Sequence, residues 1–268
     1  MKLLVCIVHF FGQNASFSGG SSWRGDAQEA GNAERRLRRE TFLRRTWESA
    51  DAIRSLGFDV DIKVCGIEGK SLMPVDWDFS RLEDPTFLVY ETLAEMAKAG
   101  TDYDYAMCME DDILLPLQTF ENVVRFEPHS AVTEILHPNR LEQADDGTLD
   151  CVDLRVVPGW KGEEREILDR TFSQALNPHS GIAIFSRRKL KHAAENVDFS
   201  ERNIVWGGRM ASAFANIHKP FELWRCKDDM IFHHVIHQDK WVQPHHPWHK
   251  RAQRRIRSTL RSAKSRFF

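Results

Sequence analysis

The chain has 268 residues, 42% of them apolar, and a formal net charge of −2. That apolar share is enough for a sizeable core, and the near-neutral balance excludes the broad basic surface of a nucleic-acid binder. Five cysteines, Cys6, Cys65, Cys108, Cys151 and Cys226, stand singly, which argues against a disulfide framework or a thiolate zinc site and assigns them to small core positions.

Leu3 to His9 reads as a buried first strand, a short continuous apolar run that opens directly onto loop residues. Its single basic residue and short apolar run do not make a signal peptide. No stretch approaches the ~18–20 apolar residues of a membrane span, so the expected setting is cytoplasmic. Phe11 to Asn32 is rich in Gly, Ser and Asn and reads as a long mobile loop, of a length that is usually functional or disordered. Helical spacing through Leu37, Phe42, Leu43, Trp47, Ala50 and Ile53 predicts a helix over Ala33 to Leu56, stopped by Gly57. Phe58 to Cys65 is a second strand. Asp84-Pro85 caps a helix that runs to about Lys98. Tyr103 to Met109 is a third strand, and Pro116 opens a helix to about Phe126. This β-α-β-α-β-α order predicts an α/β fold, a single domain over residues 1–249 with a mostly parallel central sheet and helices on both faces. Further strands are expected at Ala131 to Leu136, Cys151 to Val157 and Gly181 to Phe185, the first two flanking a turn at Asp145-Asp146-Gly147. Helices follow Arg187 and Gly208, and Met230 to Ile236 is expected to close the sheet.

The third strand ends in Glu110-Asp111-Asp112. In parallel sheets ligands sit outside the carboxyl ends of the strands. Three adjacent carboxylates repel one another, and a hard cation such as Mn²⁺ or Mg²⁺ removes that cost while bridging to a diphosphate. Helix capping explains the acids poorly, because Ile113-Leu114-Leu115 separates them from Pro116.

An apolar strand ending in Glu-Asp-Asp, about a hundred residues after an N-terminal strand, resembles the metal motif of GT-A-fold nucleotide-diphospho-sugar glycosyltransferases. The helix Arg39-Glu40-Thr41-Phe42-Leu43-Arg44-Arg45-Thr46-Trp47 is similar to one in β-1,3-galactosyltransferase-like enzymes. Asn177 to Arg188 resembles the Gly-containing strand that lines the sugar site in that fold. The resemblance implies Asp112 as the foremost metal ligand. It implies Asp111 as a catalytic and donor-binding residue, and donor contacts from His9, Phe10, Arg44, Glu110 and Gly181. Inverting members place a carboxylate where this chain reads Val205-Trp206-Gly207-Gly208-Arg209-Met210. The nearest alternative base is Glu201; a retaining reaction would need none.

Three histidines stand in an apolar strand candidate from Met230 to His237. Alternation sends His233 and His234 to opposite faces, so at most one meets the acids. The resemblance to GT-A enzymes implies a late-chain histidine as the remaining metal ligand, for which His234 is favoured with His233 next, while His237 and Lys240 are set to face the donor phosphates. His245, His246 and His249 lack the further ligands of a zinc site.

Residues 250–268 carry eight Lys or Arg and no acid. Ala252, Ile256, Leu260, Ala263 and Phe267 recur at helical spacing, which suits the inner face of an anionic membrane and a lipid-linked acceptor. The expected activity is metal-dependent transfer of a sugar from a nucleotide-diphosphate donor to a glycan or lipid-linked glycan. Two alternatives are a nucleotidyltransferase, which wants a basic Gly-rich loop that is not evident, and a non-catalytic carbohydrate- or lipid-binding module.

Overall fold

The computed structural model describes residues 1–12, 33–143, 147–151, 160–202 and 209–239. Most of the Phe11–Asn32 loop, the segment after Cys151, Val205 to Gly208, Lys240, the Pro-rich histidines and the basic tail lie outside the described residues. Among the described residues no helix is long and apolar enough to cross a membrane.

The first half follows the chain order expected of it. Strand β1 (Lys2–Val8) leads to α1 (Ala33–Asp51), a 3₁₀ turn (Ala52–Leu56), β2 (Asp59–Gly66) and the short β3 (Trp77–Asp78). Helix α2 (Leu88–Ala99) precedes β4 (Tyr105–Glu110), β5 (Ile113–Leu114) and α3 (Leu117–Phe126). Asp84 caps a 3₁₀ turn at Pro85–Phe87 by accepting from the Thr86 amide, and α2 starts after it. Gly57, at φ +81°, ends the turn after α1 because a left-handed residue is needed there.

The second half holds β6 (Glu134–Leu136), β7 (Asn139–Gln143), β8 (Leu149–Asp150), β9 (Trp160–Ile167), β10 (Arg170–Ala175), β11 (Ile182–Ser186), α4 (Arg187–Asn196), α5 (Arg209–His218), β12 (Glu222–Cys226) and β13 (His234–His237).

These strands form a mixed α/β architecture of three sheets. The central one has the order β11-β4-β1-β2-β3. Its β1–β2, β1–β4 and β2–β3 pairings are parallel, and β11 lies antiparallel to β4. Continuous apolar strands are suited to a sheet covered on both faces. Leu4, Cys6 and Val8 join one core with Leu93, Met96, Leu190 and Phe214 from α2, α4 and α5. Leu3, Val5 and Ile7 join another with Leu43 and Ala50 of α1 and Phe120 and Val123 of α3. Helices therefore cover both faces. All five cysteines are buried.

The two smaller sheets run β6-β12-β10-β9 and β5-β13-β7-β8, each with parallel and antiparallel pairings. Here three expectations are corrected. The strand expected at Met230 to Ile236 begins only at His234, and it pairs with β5 and β7 instead of closing the central sheet; the fully buried β11 already occupies that edge. Cys151 belongs to no strand. Leu37 is 66% exposed, because six residues from the buried Leu43 carry it ~240° around the helix. The inward face of α1 is instead Arg35, Leu43, Thr46 and Ala50.

Candidate functional site

Glu110 ends β4 in the central sheet, and Ile113 begins β5 in a smaller one, so Asp111 and Asp112 form the turn where the chain passes between sheets. All three carboxylates are buried, at 6%, 5% and 8% exposure. Backbone contacts hold this turn from several sides. The Glu110 amide donates to the Gly181 carbonyl at 2.9 Å, and the Gln238 amide donates to the Asp112 carbonyl at 2.8 Å. Thr46 Oγ1 of α1 donates to the Asp111 carbonyl at 3.0 Å.

Gly181 is required where it stands. Its φ is +71°, and a Cβ there would lie 2.7 Å from Ile113 Cδ1 and 3.1 Å from Glu110 Oε2. The expected donor-contact glycine thus packs directly on the acid cluster.

Each side chain has a distinct electrostatic setting. Both Asp111 oxygens are taken: His9 Nδ1 approaches Oδ2 at 2.5 Å and Arg39 Nη2 approaches Oδ1 at 2.5 Å. The Leu72 amide donates to His9 Nε2 at 3.0 Å, so the His9 ring proton sits on Nδ1 and is donated to Asp111. Arg39 also pairs with Asp112 Oδ2 at 3.3 Å and with Asp239 at 3.5 Å. His237 completes the ring of charge, with Nε2 3.5 Å from Asp112 Oδ2 and Nδ1 3.0 Å from Glu142 Oε1. Asp112 Oδ1 alone of these carboxylate oxygens is sealed from solvent without a hydrogen-bond partner.

The proton affinities diverge accordingly. Burial raises Glu110, the Asp112 charge adds to it, and the group sits at about 7 although Arg140 and His237 oppose the shift. Burial also works against ionised Asp112, but His237, Arg39 and Arg140 outweigh it and hold that carboxylate below the usual range. Burial opposes charge on His237, yet Asp112 and Glu142 lift it to about 9, so at neutral pH it is a buried imidazolium. The cluster therefore has one ready anion with an open oxygen, one carboxyl poised near neutrality, and fixed cations around both.

The residues singled out from sequence are distributed unevenly around this centre. His9, Glu110, Asp111, Asp112 and Gly181 converge, and Phe10 is buried beside His9 with Lys70 Nζ 5.9 Å from its ring. Arg44 faces outward, paired with Glu40 at 3.1 Å, and lines a groove of about 330 Å³ with Trp47, Leu72 and Met73. Glu201 pairs with Lys219. The His233 ring packs near Phe172 at 6.4 Å, and His234 Nδ1 bonds the Ile231 carbonyl at 2.6 Å, so neither is in contact with the acids. The histidine that reaches them is His237. Alternation was the right tool, but the inward parity is that of 233, 235 and 237, all buried. Arg39, Thr46, Arg140, Glu142, Gln238 and Asp239 were not foreseen as site residues. The spacing of Arg39, Leu43, Thr46 and Ala50 at four, three and four residues was the signal for the first two.

Among the described residues no group of three or more His, Cys, Asp or Glu side chains is disposed to hold a metal ion by itself. No family model matches the chain, and no curated protein does. The chain is similar to the crystal structure of A197 from STIV, with 12% identity, a TM-score of 0.39, and coverage of 92% of this chain and 100% of that one. A likeness of that size carries no argument, and the site has to be read from its own residues.

Proposed function

We propose that the chain is a metal-dependent glycosyltransferase, built as one GT-A-like domain, that uses a nucleotide-diphosphate sugar at the Glu110–Asp112 turn. The observation that carries this reading is Asp112 Oδ1, a buried carboxylate oxygen without a partner at the carboxyl end of a strand in parallel pairing. Leaving a buried charged acceptor unmatched costs stability, which a ligand at that point would recover.

Asp112 and Glu110 fit a hard divalent cation, Mn²⁺ or Mg²⁺. Such ions take one or two protein carboxylates and complete their shell with water and substrate phosphates. When bound, the ion supplies charge stabilisation to the departing diphosphate. The remaining tasks belong to this chain. Asp111, fixed by His9 and Arg39, orients the turn. Arg39 and His237 keep positive charge beside the space where phosphates would lie. His237, and neither His234 nor His233, is the histidine beside Asp112 in this reading, and as an imidazolium it supplies charge there and is not a metal ligand. The groove beside Arg44 and Trp47 offers room for the rest of the donor. Glu201, engaged by Lys219, is assigned no step.

Donor hydrolysis by the purified protein, across a panel of nucleotide sugars with and without Mn²⁺, tests the reading. The expected result is Mn²⁺-stimulated hydrolysis that is lost in Asp112→Ala with the fold retained. Full Mn²⁺-stimulated activity in that variant would remove the assignment. Binding of a sugar without turnover of any donor would favour a non-catalytic module.

A further inference from the structure

A second set of buried titratable side chains gathers where the three sheets meet, away from the carboxylate turn. His137 follows β6, His218 ends α5 and Arg225 lies in β12, and all three are at most 3% exposed. The rings of His137 and His218 meet edge-on, 5.1 Å between centroids. His218 Nδ1 donates to the Pro178 carbonyl at 3.1 Å, and its Nε2 is sealed without a partner, as is Nε2 of His137.

This pair sits at a structural joint. The His137 amide donates to the Trp224 carbonyl of β12 at 2.8 Å. The His218 ring packs on Phe185 of β11 in the central sheet at 5.8 Å. Two residues after His137, the Asn139 side chain donates to the Cys226 carbonyl at 2.9 Å and opens β7. Arg225 donates to the His179 carbonyl at 2.7 Å, and Arg140 of β7 reaches His179 Nε2 at 3.5 Å.

We propose that His137 and His218 form an acid-released latch, which ties the outer sheets to the central one while both rings are neutral and lets go when they take protons. A proton on either Nε2 would create a charge that has no acceptor in a sealed core. The groups facing the pair are Arg225 from β12, His179 from the segment before β11 and His233 from the segment before β13, all basic. Burial, reinforced by Arg225 and the neighbouring histidines, holds His137 well below its ordinary value. Burial and Arg225 together bring His218 to about 4, although its Pro178 bond opposes the shift.

The sign follows from the unfolded value near ~6.5. Both folded values are lowered, so their contribution is complete above about pH 6.5 and fades as pH falls toward about 4. Two protons taken up on opening make the opening equilibrium rise up to ~100-fold per pH unit in that window. The opening would carry Arg140, Glu142 and His237, which lie on β7 and β13, away from Glu110 and Asp112. This holds whatever the carboxylates bind.

Hydrogen exchange read by mass spectrometry from pH 7 to pH 5, corrected for intrinsic rates, tests the latch. Amides of β6, β12 and α5 should lose protection at up to ~100-fold per pH unit while β1 and β4 keep theirs. His218→Gln should lower the slope in those elements to ~10-fold. If the variant does not fold, the wild-type profile alone decides. Protection that falls in parallel across β1, β4, β6 and β12, or an unchanged slope in a folded His218→Gln protein, would overturn the proposal.

Discussion

From Lys2 to Phe126 the buried positions are chiefly Leu, Ile, Val, Phe and Met, whereas from Glu134 onward they are shared with Glu134, His137, Asn139, Arg140, Glu142, His218 and Arg225. The first region supplies most of the two apolar cores on either face of the central sheet, with help from β11, α4 and α5. The second contributes Leu136, Ile167, Phe172, Trp224 and Cys226 to a smaller third core, completed by Phe126 of the first, and is joined by side-chain hydrogen bonds such as that from Asn139 to Cys226. A region packed by apolar burial is stable to pH and tolerant of small shifts. A region joined through buried polar groups has a fixed geometry and responds to charge. The carboxylate turn lies on the seam between them, with its acids on the first region and His237 and Glu142 on the second.

The contrast can be broken most sharply from the apolar side. Phe120 is fully buried and makes edge contacts with Phe58 at 5.1 Å and Tyr105 at 5.7 Å. Phe120→Ala should cost about 3–5 kcal/mol in urea unfolding at neutral pH. A loss below about 1 kcal/mol would mean the first region is not held by that core.

At the seam itself, Gly181→Ala should cost about 2–4 kcal/mol, from positive-φ strain and the clash with Ile113. Because Glu110 also borders that Cβ, the variant should lose ligand response even where it still folds. Wild-type stability would show that the approach of β11 to the turn is looser than 2.7 Å implies.

Charge on the second region should appear as a pH profile of the metal-free protein. The folded value of His237 is raised to about 9 from an ordinary 6.5. Its stabilisation is therefore complete below about pH 6.5 and is lost as pH rises through about 9. His237→Gln should flatten unfolding free energy across that window by about 1–3 kcal/mol relative to wild type. Two parallel curves would show that His237 carries no extra proton in the fold.

The smallest effect belongs to the far face of α1. Leu37→Ala should change stability by less than about 0.5 kcal/mol, since the side chain is exposed.

The same contrast explains what was legible in the sequence. Strands such as Lys2–Val8 and Ile182–Ser186 are apolar but for one end residue and declare themselves, as do helices marked by Pro116 and Gly57. Strands β7, with Asn-Arg-Leu-Glu-Gln, and β9, with five charged residues among eight, carry no such run and are not marked by the sequence. Strand β10, the hairpin partner of β9, is entered through Leu168 and Asp169 at φ 51° and 59°, and nothing in Leu-Asp announces a left-handed turn. The acid turn was legible because three carboxylates at a strand end are unusual. Arg39 and Glu142 were not, since a charged residue on a helix or strand is ordinarily solvated; ion pairs with Asp111, Asp112 and Asp239 hold Arg39 inward, and the pairing of β13 with β7 sets Glu142 beside His237.

The most direct measurement is calorimetric titration of UDP-, GDP- and CDP-sugars, each with and without Mn²⁺, into the wild-type protein and into Asp112→Asn. A metal role for the buried Asp112 carboxylate predicts binding of at least one donor that requires Mn²⁺ and weakens by roughly 100-fold in the variant, with an unchanged circular dichroism spectrum. Donor binding of equal strength with and without Mn²⁺, or the same Mn²⁺-dependent affinity in Asp112→Asn, would contradict it.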